Sequence, residues 1–283
     1  MRVAIEVDDA EMIAKFGPRF DRTAWVRSVQ FHGKDMLGSG GLPDEFGLKG
    51  DGVLGYDAPM DGPGFIKIGV GRLKRVKDQP YFFSDRYPIL KSYPVKIVSQ
   101  SKNALAITQD GGDEVLPWSY RYKKTYLLKD TNTLIIRFEL ENCGAQPFSF
   151  NHYNHNWFNL DGDRVGPQHR LETGFVLVPP EKPSPYEFEP YALQPKTSIK
   201  GGRAYYYESE LPGVTAEQNR MHLTAGTPYT VTITGDFPPA RIAVYAQHRD
   251  FCPEVFFKAE LQPGETAKWT RTYTFSVNAK PGE

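Results

Sequence analysis

From Lys268 onward the chain alternates without a break: Trp269, Arg271, Tyr273, Phe275 and Val277 share one face, and Lys268, Thr270, Thr272, Thr274 and Ser276 share the other. Only an extended backbone brings residues two apart to the same side, so this stretch is a half-buried strand. Leu134, Ile136, Phe138 and Leu140 repeat the pattern, with Arg137 and Glu139 between them. Residues 23–31, 95–99, 104–108 and 120–128 are further strand candidates, and His32-Gly33, Lys102-Asn103 and Asp130-Thr131-Asn132 are the turn signals that join such runs into hairpins. The 18 Phe, 16 Tyr and 4 Trp suit pleated surfaces, and 26 Gly and 23 Pro supply the turns. The best helical stripe, residues 9–16, is short and stops at Gly17-Pro18. The chain is therefore expected to be all-β, a large antiparallel β-sandwich with few short helices. No repeat, low-complexity linker or composition break interrupts it, so residues 1–283 read as a single domain.

Lys and Arg number 34, and Asp and Glu 34. That balance gives no electrostatic reason to expect nucleic acid or an anionic membrane as partner. No apolar run reaches the 18 residues a membrane helix needs. Acids at Glu6, Asp8, Asp9 and Glu11 break the start of the chain where a secretory leader is apolar, so the cytoplasm is the expected location. Cys143 and Cys252 are too few for a disulfide scaffold and read as free thiols.

Against this background the run NHYNHNWFNL, residues 151–160, stands apart. Asn disfavours strands, and each buried amide or imidazole needs a hydrogen-bond partner, so the cluster reads as a place that holds something polar. Ring faces mixed with neutral donors and acceptors suit a sugar. If the run is extended, Tyr153, His155, Trp157 and Asn159 point one way, and His152, Asn154, Asn156 and Phe158 the other. The two histidines then face apart, which argues against a metal held by both. A second cluster is FCPEVFFKAE, residues 251–260, where Glu254 is expected to open a strand just after Pro253 and project a carboxylate into a cleft.

Residues 154–160, NHNWFNL, resemble the NH-x-aromatic-FNL motif of the aldose 1-epimerase (galactose mutarotase) superfamily. The order of Glu254, then LQPGET, then a final YTF strand is similar to that family's closing segment, and Phe16-Gly17-Pro18-Arg19, Trp25 and HGKDMLG are similar to its first strands. The resemblance implies a galactose mutarotase-like supersandwich and a cofactor-independent isomerase that interconverts the α and β anomers of a sugar. It implies His155 as general acid toward the ring oxygen and Glu254 as general base on the anomeric hydroxyl. Ring opening needs one proton to leave O1 as another reaches O5, which is why two proton carriers are required. A gap of roughly 5 to 8 Å between them, wide enough for one pyranose, is the expectation. Asn154 and Trp157 are the sugar-binding candidates of the motif, and by position Lys67 and Arg72 take the place of the family's first-half histidine and arginine.

Some residues have blander readings. The cations from Lys67 to Lys77 fit a solvated face as well as an anion site. Asp44-Glu45, in a Gly-rich loop, fits a turn. The long connections 38–64 and 179–202 are expected over the sandwich rim. Two other functions fit the same fold: a carbohydrate-binding protein without turnover, and a polysaccharide-processing enzyme.

Overall fold

The computed structural model describes residues 1–278 apart from 9, 58 and 60. Its strands form a ten-stranded and a five-stranded antiparallel sheet, with two small sheets of three and four strands beside them. The run at 268–277 is the key to the arrangement. It forms the closing strand, Thr266–Val277, which pairs with Thr133–Asn142 on one edge and Tyr229–Gly235 on the other, inside the ten-stranded sheet. Its aromatic face is buried, with Phe138 opposite Trp269 and Leu134 opposite Tyr273. On the opposite face Glu139 is paired with both Lys123 and Lys268.

The five-stranded sheet carries Ala204–Glu210, Arg241–Gln247, Phe251–Leu261 (the glutamate strand), Phe148–Asn154 (the histidine strand) and Asp44–Phe46, in that order. It packs on the larger sheet through Trp269, whose ring centre lies 5.5 Å from Phe150, 4.7 Å from Phe257 and 5.0 Å from His152. One buried apolar cluster runs through both sheets, from Ala24 to Phe275.

The expected hairpins form, 95–100 with 104–112 and 119–129 with 133–142. His32 and Gly33 both adopt positive φ, 51° and 77°, and close a two-residue turn between Phe31 and Lys34. Helix among the described residues is confined to Ala10–Phe16 and one tight turn at Leu160–Gly162; Asp9, where the expected helix begins, lies outside them. No described helix is long and apolar enough to cross a membrane.

Three expectations are corrected. Asp44-Glu45 is a buried strand rather than a turn, paired with Asn154 and Tyr153. The connection 179–202 contains the strands Tyr186–Glu189 and Ala192–Pro195, which extend the ten-stranded sheet at its edge. Glu254 lies inside its strand, because pairing with Arg241–Gln247 begins at Phe251 and runs through Pro253.

The histidine and glutamate strands pair only as far as His152 opposite Phe257, and then part. The Arg271 guanidinium reaches into the gap from the closing strand and donates to the carbonyls of both His152, at 3.2 Å, and Val255, at 2.9 Å. Arg271 is 1% exposed, so neither carbonyl has water to fall back on if it is lost. Arg271→Met keeps the bulk and strands both acceptors, at a cost of about 1–3 kcal/mol each. Urea unfolding should show a loss of that size, with a lower midpoint and unchanged slope.

Candidate active site

Where the strands part, the histidine segment keeps its alternation, paired as far as Asn154 with Asp44–Phe46 on its other edge. Tyr153, His155 and Trp157 line a cavity of about 630 Å³, and Glu254 meets them from the other side of the split. His155 and Trp157 are held by backbone bonds to Pro43 (2.9 Å) and Gly41 (3.2 Å). The opposite face turns inward. Trp269 donates its indole N–H to His152 Nδ1 at 3.1 Å, and Tyr273 donates its hydroxyl to Asn156 Oδ1 at 3.0 Å. Asn156 donates in turn to the Pro253 carbonyl at 2.6 Å, and Asn154 donates to Asp44. Half of the polar cluster therefore holds protein, not ligand.

His155 Nδ1 and Glu254 Oε1 stand 3.1 Å apart, closer than the expected width of a ring, and neither is aligned for a hydrogen bond with any group. Both residues are almost wholly buried, at 5% and 3% exposure. Trp157 stacks on the imidazole with ring centres 3.8 Å apart, and Phe20 meets it edge-on. Gly40 makes room for that indole: a Cβ there would fall 2.1 Å from Trp157 Cδ2. Phe16, from the short helix, and Phe83, Tyr206 and Tyr245 complete the aromatic wall.

Behind the pair lies a buried polar cage. Arg19 donates to Glu45 Oε2 at 3.0 Å and to the Tyr153 hydroxyl at 3.2 Å, and Tyr153 donates to the same carboxylate oxygen at 2.5 Å. Desolvation works against the Arg19 charge, but Tyr153 and Glu45 outweigh it and hold the guanidinium protonated. Lys67 also reaches Glu45, at 3.5 Å, and donates to Tyr81 at 2.7 Å; burial brings its pKa down to about 8 against the opposing pull of Glu45. A second cage ties Lys124 to Asp21 at 2.9 Å and Asp44 at 2.7 Å. Burial raises the Asp44 pKa to about 6, with Lys124 pulling the other way.

Of the site residues expected from sequence, the structure brings His155, Glu254 and Trp157 to the cavity and leaves three outside it. Lys67 is fully buried behind the wall because Glu45 and Tyr81 claim its ammonium. Arg72 pairs with Asp113 at 2.9 Å and donates to the Pro63 carbonyl, on a different sheet. Asn154 faces inward to Asp44. Arg19 and Tyr153 were missed as site residues. Tyr153 shares the His155 face by simple alternation, and Arg19 closes the Phe16-Gly17-Pro18-Arg19 run that resembles the family's opening, a signal not read as a site. Cys252, two residues before Glu254 on the same strand, is also unannounced. Its thiol, His155 and Glu254 offer ligand atoms all within 4.8 Å of one another.

Burial dominates the protonation of the central pair. It pushes the Glu254 carboxyl well above the usual range, with Arg19 partly opposing, and the His155 imidazole well below its usual value, with Arg19 adding to the shift. Each shift is toward the neutral form. A carboxyl with a raised folded pKa costs nothing below its unfolded value, about 4.5. It weakens the fold as pH rises from there toward the folded pKa, because the unfolded chain ionises first. Glu254→Gln should therefore raise Tm at neutral pH, by about 2–4 °C per kcal/mol relieved, and the gain should vanish near pH 4.5. For His155 the sign is reversed, with stability lost as pH falls below about 6.5.

No protein-family model matches the sequence, and no curated protein matches it either. Solved structures do. A galactose mutarotase-like protein from Lactobacillus casei superposes with a TM-score of 0.57 at 14% identity, over 97% of this chain and 100% of the other. An aldose epimerase homologue from C. elegans gives 0.55 at 14% identity, covering 99% and 89%. A galactose 1-epimerase from Lactobacillus acidophilus gives 0.56 at 13%, covering 92% and 90%. With antiparallel sheets throughout and end-to-end superposition on these proteins, the chain has the galactose mutarotase-like β-sandwich fold.

Proposed function

We propose that the protein is an aldose 1-epimerase-like isomerase that opens and recloses the hemiacetal ring of a sugar. The observation that carries this reading is the contact between two unpartnered proton carriers, His155 Nδ1 and Glu254 Oε1, at 3.1 Å on the wall of an aromatic cavity. The cavity volume falls in the range of small-molecule sites. The short distance suits the chemistry better than a ring-wide gap does. O1 and O5 are bonded to the same carbon, so a donor for one and an acceptor for the other belong side by side at that corner of the sugar.

Side by side, the two groups can divide the transfers between them, one giving a proton to O5 while the other takes one from O1. Reclosure on the other face of C1 reverses both transfers and returns the pair to its starting state.

Polarimetry on freshly dissolved α-glucose, α-galactose and a panel of other aldoses tests the reading. The protein should speed mutarotation of at least one. His155→Asn and Glu254→Gln should each lower kcat by roughly 10²–10⁴-fold. Sugar binding, followed by Trp fluorescence, should survive in both. Failure of every aldose and sugar phosphate in the panel would rule out catalysis of this kind, while saturable binding without turnover would favour a carbohydrate-binding role.

A further inference from the structure

Next to His155 and Glu254, just outside the cavity lining, stands a third group that the proposed proton transfer does not use. Cys252 is a free, fully buried thiol, and it packs in the same cluster as Phe20, Trp25 and Trp157. Cys252 and Glu254 are two apart on one strand, so their side chains leave the same face, and His155 faces them across the split. Sulfur, carboxylate oxygen and imidazole nitrogen lie within 4.8 Å of one another.

The geometry points to a site for a single divalent ion of the zinc class, held by His155, Cys252 and Glu254 with its fourth position open to the cavity. Two independent features support this. First, His155 Nδ1 and Glu254 Oε1 are buried polar atoms without a hydrogen-bond partner, although they are only 3.1 Å apart. Two ligands each about 2 Å from a tetrahedral ion stand roughly 3.3 Å apart, so the misaligned contact has the spacing of two ligands on one metal. Second, the donor set combines one thiolate, one imidazole and one carboxylate. Hard ions such as magnesium and calcium take oxygen ligands, whereas zinc accepts all three donor types. Trp157, stacked on the imidazole, restricts the ring plane.

Coordination requires the thiolate and the carboxylate, so each ion bound releases the Cys252 proton, together with any proton on Glu254, to solvent. It also engages both proton carriers, so an occupied site blocks the transfer described above. The inference does not rest on that reaction. It concerns the same side chains, but a different ligand.

The test uses the full chain with Cys143→Ser, which removes the exposed thiol, and cobalt as a spectroscopic probe that zinc displaces. One equivalent of cobalt per chain should give the bands of a four-coordinate ion together with a thiolate charge-transfer band in the near ultraviolet. Cys252→Ala should abolish the charge-transfer band and weaken zinc binding at least tenfold against a chromophoric chelator. Glu254→Gln should keep the band but weaken binding by a similar factor, and it decides the matter alone if the alanine variant does not fold. Absence of stoichiometric uptake, or affinity indifferent to these substitutions, would overturn the site. Polarimetry on metal-free protein separates the two readings. Mutarotation without zinc uptake leaves the epimerase proposal standing and removes this one, and zinc uptake without mutarotation in the metal-free protein does the reverse.

Discussion

A sheet cannot open a cleft between two of its own strands without leaving backbone groups unpaired, and here the Arg271 guanidinium resolves that conflict. The histidine and glutamate strands separate after His152 and Phe257, and one guanidinium nitrogen donates to a carbonyl on each side of the gap. Residues two before and two after Arg271 continue the work. Trp269 fixes His152, and Tyr273 fixes Asn156, which in turn holds the Pro253 carbonyl. Three successive inward side chains of one strand thus clamp the segment that carries His155 to the segment that carries Glu254. Pro253 suits its place because it lies beyond the last pair with the histidine strand, where no N–H is needed on that side.

The clamp explains how a site so polar can be so deeply buried. Glu45, Asp44, Lys67, Lys124 and Arg271 are all nearly inaccessible, and nearly all of their partners are protein groups. Buried ion pairs of this kind contribute little net stability, since desolvation consumes most of the Coulomb attraction. What they supply is fixed position. Glu45 fixes Tyr153 and Arg19, and these form the cavity wall next to His155. Much of the rest of the wall is aromatic, and burial, more than any neighbouring charge, shifts the protonation of both groups.

Much of this was legible from alternation. The two faces of the closing strand, the hairpins and the common face of Tyr153, His155 and Trp157 follow from residues two apart pointing the same way, a rule that needs no knowledge of tertiary contacts. What it could not reach was pairing between distant segments. The Lys67 cation was read as available to a ligand because Glu45, its partner, sits 22 residues away in a stretch that resembled a turn. Arg72 failed for the same reason, with Asp113 as the unseen partner. Asn154 belongs to the recognisable motif but to its inward face, so alternation separated it correctly from His155 while the motif grouped the two. The separation of the strands was also hidden, since pairing on the glutamate strand's other edge extends unbroken past Pro253.

The close approach of His155 and Glu254 has two chemical consequences that compete. Two proton carriers in contact suit a reaction in which one proton must leave as another arrives. The same spacing, with a thiol beside it, is a ligand set waiting for an ion. Both proposed uses draw on the same two side chains, so an ion held by them and a proton passed through them exclude each other, and the 3.1 Å contact across the strand split is the feature on which both depend.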